Sequence, residues 1–244
     1  QNGDKYKVEV IDGNNCENIA AKSLIVNQVP TVSDKSVTIC SGSETGVLDL
    51  TANIPSASYV WNVKGSPAET LSDYQLGGSG TTIPSQAVKT SAIDHIDTLT
   101  YEVTVDNVGC TATYDYNMFV YPQPTLVATA SPSVICQDES FVLEAKASTA
   151  AKYIWYEAND ATSELSSEIG TTSAVSVLKI DLDDATLERR EDGGWYKDYR
   201  IVAHLLLHDD EGHVIFEGCP VEEIVSVRRL DKFECNHRPN LGRD

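Results

Sequence analysis

Tyr59-Val60-Trp61 and Tyr153-Ile154-Trp155 stand 94 residues apart, and their likeness decides how the chain is read. In each, an aromatic residue and a tryptophan flank a β-branched residue. That alternation puts both rings on one face of an extended strand. Working outward, Pro30-Thr31 returns as Pro124-Thr125 and Cys16 as Cys110, both again at 94, while Cys40 returns as Cys136 at 96. Val37-Thr38-Ile39-Cys40 is echoed by Ser133-Val134-Ile135-Cys136. Val47-Leu48-Asp49-Leu50-Thr51-Ala52 is echoed by Phe141-Val142-Leu143-Glu144-Ala145, and Tyr6-Lys7-Val8-Glu9-Val10 by Tyr101-Glu102-Val103-Thr104-Val105. So many anchors in nearly one register mark a tandem repeat.

A period of this length is the size of one β-sandwich domain. In Tyr101-Glu102-Val103-Thr104-Val105 the Tyr and both Val share one face and the polar residues the other, the pattern of a half-buried strand. Turn-forming clusters such as Leu76-Gly77-Gly78-Ser79-Gly80 separate such segments. The expected division is therefore residues 1–29 as the terminal strands of a truncated repeat, 30–123 as a complete module, and 124–174 as the start of a further one. The sequence opens on Gln1 and not on Met, and it reads as an excised piece.

The six cysteines occupy fixed places in the repeat. Cys40 lies near the start of the complete module and Cys110 at its reading-frame end, so a Cys40–Cys110 bridge is expected, pinning first strand to last. Reduced, buried cysteines are the alternative. Under the same rule Cys16 has no partner within the sequence.

Ile39-Cys40-Ser41-Gly42, the Tyr-x-Trp-x-Val strand at Trp61, and Tyr101-x-Val-x-Val with Gly109-Cys110 together resemble the PKD-like and Ig-like repeats of bacterial surface proteins. The resemblance covers about residues 1–174. The second copy departs from it, with Gln137-Asp138-Glu139 where the first has Ser41-Gly42-Ser43. It implies an all-β fold of tandem immunoglobulin-like β-sandwich modules, an extracellular or cell-surface location, disulfides, and a spacing or adhesive role among flanking repeats. It carries over no catalytic residue.

Residues 175–244 differ. All seven arginines lie there, at 189, 190, 200, 228, 229, 238 and 243, along with four of the five histidines. A constant offset predicts tyrosine at 195 and cysteine at 204, where the chain has Trp195 and His204. This third is read as an atypical β-rich or α+β unit, or as an unusual completion of the third module. Strands are expected over 174–182, 199–208 and 212–217, with a hairpin turn at His208-Asp209-Asp210-Glu211-Gly212. Residues 185–191 suit a short helix stopped by Gly193-Gly194, and 221–230 suit strand or helix. Within 199–208, Ile201, Ala203, Leu205 and Leu207 share the face expected to meet a core.

Candidate sites are few. His204, His208, His213, Cys219, Cys235 and His237 include zinc-ligand types, but His204 and His208 on one strand stand about 13 Å apart, too far for one ion. Cys219 bridged to Cys235 or Cys136 is the better reading. Asp181, Asp183 and Asp184 form an acidic patch without the glycine and closing Glu of a calcium loop. Trp61 and Trp155 read as core residues. Trp195 and Tyr196 are the one aromatic pair singled out for ligand contact.

The chain carries 37 acidic and 18 basic residues, a net charge of −19. Such a surface repels phosphate backbones, so no nucleic-acid partner is expected. No apolar run approaches the 18 or so residues of a membrane span. No catalytic motif, metal site or cofactor-binding motif is present. The expectation is a non-catalytic structural or adhesive repeat region whose protein or glycan ligand the residues do not name. The alternative is a carbohydrate- or protein-binding module accessory to a secreted enzyme.

Overall fold

The fold was analysed in a computed structural model that describes residues 5–137, 139–157, 164–170, 176–181 and 187–236. Contacts divide the chain into two compact units. One runs to Thr90 and takes in Asp97–Val120; the other holds Ser91–Ile96 and runs from Tyr121 onward.

In the first unit the strands are β1 (Lys5–Ile11), β2 (Glu17–Ser23), β3 (Lys35–Cys40), β4 (Leu48–Asp49), β5 (Ser58–Val63), β6 (Leu71–Ser72), β7 (Gly77–Ser79), β8 (Thr82–Ile83), β9 (Lys89–Thr90), β10 (Asp97–Asn107) and β11 (Cys110–Tyr121). The main sheet has the order β3-β11-β10-β5-β7, with short pairs β4-β8 and β6-β9 and a separate hairpin β1-β2. Alternation drives the pairing. Leu99, Tyr101, Val103 and Val105 of β10 are fully buried, and Thr100, Glu102 and Thr104 between them are not. Trp61 sits across from Val103, its ring edge-on to Tyr101 with centroids 5.3 Å apart. The Tyr101 hydroxyl donates to the Gln75 carbonyl at 2.8 Å and to Gln86 Oε1 at 3.1 Å, so the buried ring keeps its polar tip satisfied.

The glycine cluster expected as a turn is in part a strand. Gly77–Ser79 pairs with β5, because β7 must cross the Trp61 ring at close range. A Cβ on Gly78 would stand 2.6 Å from Trp61 Cζ2, closer than any real contact. Glycine here makes room for the core tryptophan.

In the second unit the strands are β12 (Leu126–Ser131), β13 (Val134–Ile135), β14 (Ser140–Ala147), β15 (Ala151–Glu157), β16 (Glu164–Gly170), β17 (Ser176–Asp181), β18 (Glu188–Arg189), β19 (Trp195–His208) and β20 (Val214–Arg229), followed by the helix α1 (Lys232–Asn236). One sheet is β12-β14-β17; the other is β13-β20-β19-β15-β16, with β18 beside β19. The short β13 runs parallel to β20, while the other strand pairs of this unit are antiparallel. Between the sheets lie Phe141, Leu143, Tyr153, Trp155, Tyr199, Ile201 and Val227, each almost wholly buried. The chain is thus all-β, built of immunoglobulin-like sandwich modules in which tryptophan fills the same core position twice.

Residues before and after 174 share this core. Trp61 faces Val103 and Trp155 faces Ile201, so the counterpart of Tyr101 is Tyr199 and not residue 195. The offset has grown from 94 to 98, which means four extra residues between the tryptophan strand and its partner. Tyr199-Arg200-Ile201-Val202-Ala203 is the third module's version of Tyr101-Glu102-Val103-Thr104-Val105. A fixed spacing hid it. As the alternation predicted, Ile201, Ala203, Leu205 and Leu207 are buried, and Leu206 is buried as well.

Other expectations change. Within 185–191 the described residues hold the strand Glu188–Arg189 and no helix, and Gly193-Gly194 lies in the turn that follows. Residues 221–229 are strand. The helix falls instead at Lys232–Asn236, where Asp231 and Glu234 cap each other's backbone amides at 2.7 and 3.0 Å.

Candidate functional site

The expected Cys40–Cys110 bridge is not formed. Cys40 is disulfide-bonded, whereas Cys110 is a free thiol, as is the exposed Cys16. The reason is the position of Cys110 on the β10–β11 hairpin. The hydroxyl of Ser41, next to Cys40, bonds the Thr90 carbonyl at 3.2 Å, and Thr90 in turn hydrogen-bonds Asp97. Asp97 lies opposite Val120, at one end of the hairpin, and Cys110 lies opposite Asn107 at the other. Ten residues of strand at ~3.3 Å each separate the two ends by about 33 Å, against a disulfide reach below about 7 Å. Cys110 begins the last strand, so it does not lie at the module's end. Cys219 is not bridged to Cys235 or Cys136 either. Cys136 pairs with Cys235, with Cα atoms 5.9 Å apart, which ties the end of β13 to α1.

That tie borders the most elaborate polar region of the second unit. Residues 190–194 form a turn closed by Arg190 N–Gly194 O at 3.0 Å and Gly193 N–Arg190 O at 2.9 Å, with Gly193 at φ +80° supplying the left-handed step. The turn brings the Arg190 guanidinium over the Tyr196 ring at 4.3 Å. It also sets Asp192 to accept the Tyr196 hydroxyl at 2.6 Å and the Gly194 amide at 2.9 Å. These hydrogen bonds, the tyrosine's first, hold the Asp192 carboxyl below the usual carboxylate range and push the Tyr196 phenol up. Arg190 further bonds Asp198 and, at 3.1 Å, the Ser226 hydroxyl, which itself donates to Asp198 at 2.6 Å. Arg228 continues the chain of charges to Glu234 at 3.0 Å. Next to it, a cleft of about 470 Å³ is lined by the Cys136–Cys235 bridge, Gln137, Arg229, Asp231 and Lys232, among others.

Trp195 and Tyr196 are neighbours on β19 and so point to opposite faces. Trp195, 37% exposed, lies at the rim of the inner face. Next on that face is Lys197, buried in an ion pair with Glu157 at 2.7 Å. Tyr196 stands on the outer face under Arg190. The two rings therefore do not make one stacking platform. The residues that do converge are Arg190, Asp192, Asp198, Ser226, Arg228 and Glu234. Only the concentration of arginine in the last third signalled them.

The histidines do not gather. His213 lies beside Asp209, 3.3 Å away, in the turn before β20, and His204 pairs across to Lys152 on β15. No group of three metal-ligating side chains forms among the described residues. His237, Asp183 and Asp184 lie outside the described residues. No helix among the described residues is long and apolar enough to cross a membrane.

No protein-family model and no curated protein matches the chain. Among solved structures, the titin I-band fragment I67–I69 aligns over 84% of this chain and 66% of that one, at 16% identity and a TM-score of 0.38. The N-terminal four Ig domains of Dscam1 isoform 6.9 align over 89% of this chain and 52% of that one, at 11% identity and a TM-score of 0.30. The chain thus spans just under two thirds of the titin fragment and about half of the Dscam1 chain.

Proposed function

We propose that this chain is a non-catalytic structural or adhesive repeat region of a secreted or cell-surface protein of bacterial type. The observation that carries the reading is the duplicated core. Two sandwiches repeat the same tryptophan across the same partner strand, Trp61 against Val103 and Trp155 against Ile201. Repetition of a whole module multiplies length and surface, which serves a spacer or a multivalent binder. The acidic surface and the four disulfide-bonded cysteines suit an oxidising, extracellular setting. The arginine–carboxylate network on β19 and β20 supports a rigid outer sheet face able to meet a partner protein.

Single-molecule stretching of the reduced chain tests this. Two separate unfolding events are expected, releasing about 300 Å for the roughly 90 residues of the first sandwich and about 370 Å for the roughly 110 of the second, at ~3.4 Å per residue. One event spanning both units, or hydrolytic activity on a panel of polysaccharides and peptides, would overturn the reading. A glycan array with a Trp195→Ala control addresses the accessory-module alternative: sugar binding lost in that variant favours it.

A further inference from the structure

The hairpin β1–β2 repeats the pairing of β10–β11 residue for residue. Tyr6 faces Lys22, Val8 faces Ala20 and Val10 faces Asn18; in the complete module Tyr101 faces Tyr116, Val103 faces Tyr114 and Val105 faces Ala112. Between equivalent pairs the first hairpin has one residue more, and its turn spans five residues where that of β10–β11 spans two. The environments are opposite. Tyr101, Val103 and Val105 are 0% exposed, and Tyr6, Val8 and Val10 are each 61% exposed. The buried set is flanked within its sheet: β5 runs antiparallel along β10, placing Val63, Trp61 and Tyr59 opposite Tyr101, Val103 and Val105. Among the described residues, the corresponding edge of β1 carries no strand, since β1 and β2 form a two-stranded sheet by themselves. A lone two-stranded hairpin is marginal in water, and an alternating Tyr-x-Val-x-Val face left open has the chemistry of half a core.

We propose that β1–β2 is the acceptor half of a further sandwich, and that its occupant is the strand set of another repeat equivalent to residues 30–95. In that assembly a Tyr-x-Trp-x-Val segment lies antiparallel along β1 with its tryptophan opposite Val8. This inference rests on the repeat reading above and gives that reading a defined contact.

The experiment extends the full chain with a second copy of residues 30–95 placed before Gln1, which reproduces the spacing from Trp61 to Tyr101. Amide hydrogen exchange is then followed over 5–11 and 17–23. Protection of the hairpin is expected to rise at least ~100-fold on extension, and Val8→Asp is expected to abolish the gain. The same substitution in the unextended chain should leave its melting temperature unchanged. As a second measurement independent of whether the fusion folds, a peptide of residues 54–66 should shift the amide resonances of Tyr6–Val10, and its Trp61→Ser version should not. A hairpin equally unprotected in both chains, with the peptide silent, overturns the proposal. Protection that grows with concentration of the unextended chain also overturns it, by assigning the face to a second copy. If two stretching events persist alongside either result, the acceptor face fails while the repeat reading stands.

Discussion

Val108 is the residue most at odds with its position. With Gly109 it forms the two-residue turn between β10 and β11, at φ 52° and 86° respectively. Two successive left-handed residues define the turn whose twist matches a hairpin, and the turn selects Asn-Gly. A β-branched side chain there is strained by ~1 kcal/mol or more. Val108 is exposed, and its carbonyl accepts from Asn27 at 3.2 Å through the backbone alone. Val108→Asn is therefore expected to stabilise the first unit by about 1 kcal/mol, read as a higher denaturant midpoint at unchanged slope. Buried tyrosines make a second residue-scale prediction. Burial, aided by the neighbouring Tyr59 and Tyr116 hydroxyls, pushes the Tyr114 phenol up to about 12. Burial likewise raises Tyr101 and Tyr116. A folded pKa above the unfolded value of about 10 gives stability that is whole below pH 10 and lost as pH climbs toward 12. Melting temperature should fall across that window, and Tyr114→Phe should flatten the fall; an unchanged slope in that variant would assign the loss to other groups.

At the scale of elements, β19 is the test of how the second core is held. Leu205 is fully buried on the face it shares with Ile201 and Ala203, and it pairs with Ala151. Removing a leucine of this kind costs about 2–5 kcal/mol, and an unpaired carboxylate in its place costs more. Leu205→Asp is expected to unfold the second unit and leave the first one cooperative. Two calorimetric transitions should become one. Loss of both transitions would show that the cores do not stand separately. This strand also marks the limit of what the residues disclosed. Its inner face was legible because alternation is local. Its place in the repeat was not, because four inserted residues broke a count that assumed constant spacing. Gly77-Gly78 misled for a related reason: glycine marks both turns and close approaches, and only the Trp61 ring, brought in by β5, says which. The arginine–carboxylate network was hidden because Arg190, Asp198 and Arg228 meet only once β18, β19 and β20 are paired.

For the whole molecule, the Cys136–Cys235 bridge is a covalent constraint with both ends in the second unit. Sequence placed cysteines at module ends and paired them by reading frame, but a strand 11 residues long carries its two ends far apart, and that length follows from pairing, not from composition. The observed bridge encloses 99 residues, nearly all of the second sandwich. In the chain-entropy model a loop of that size restricts the unfolded state by about 4–5 kcal/mol, comparable to the entire stability of many domains. β13 contributes only two residues to the sheet, and α1 only one turn and a half, so neither end holds itself in place by hydrogen bonds alone. The Cys136→Ala, Cys235→Ala double variant is expected to lower the melting transition of the second unit by about 10 °C or more, on the scale of a few degrees per kcal/mol. The first unit's transition should stay within a degree or two. Non-reducing peptide mapping supplies the covalent check: peptides bearing Cys136 and Cys235 should migrate joined, and those bearing Cys16 and Cys110 should take up an alkylating label before reduction. A label on Cys136, or a wild-type transition matched by the double variant, would mean that the sandwich is closed by its core alone.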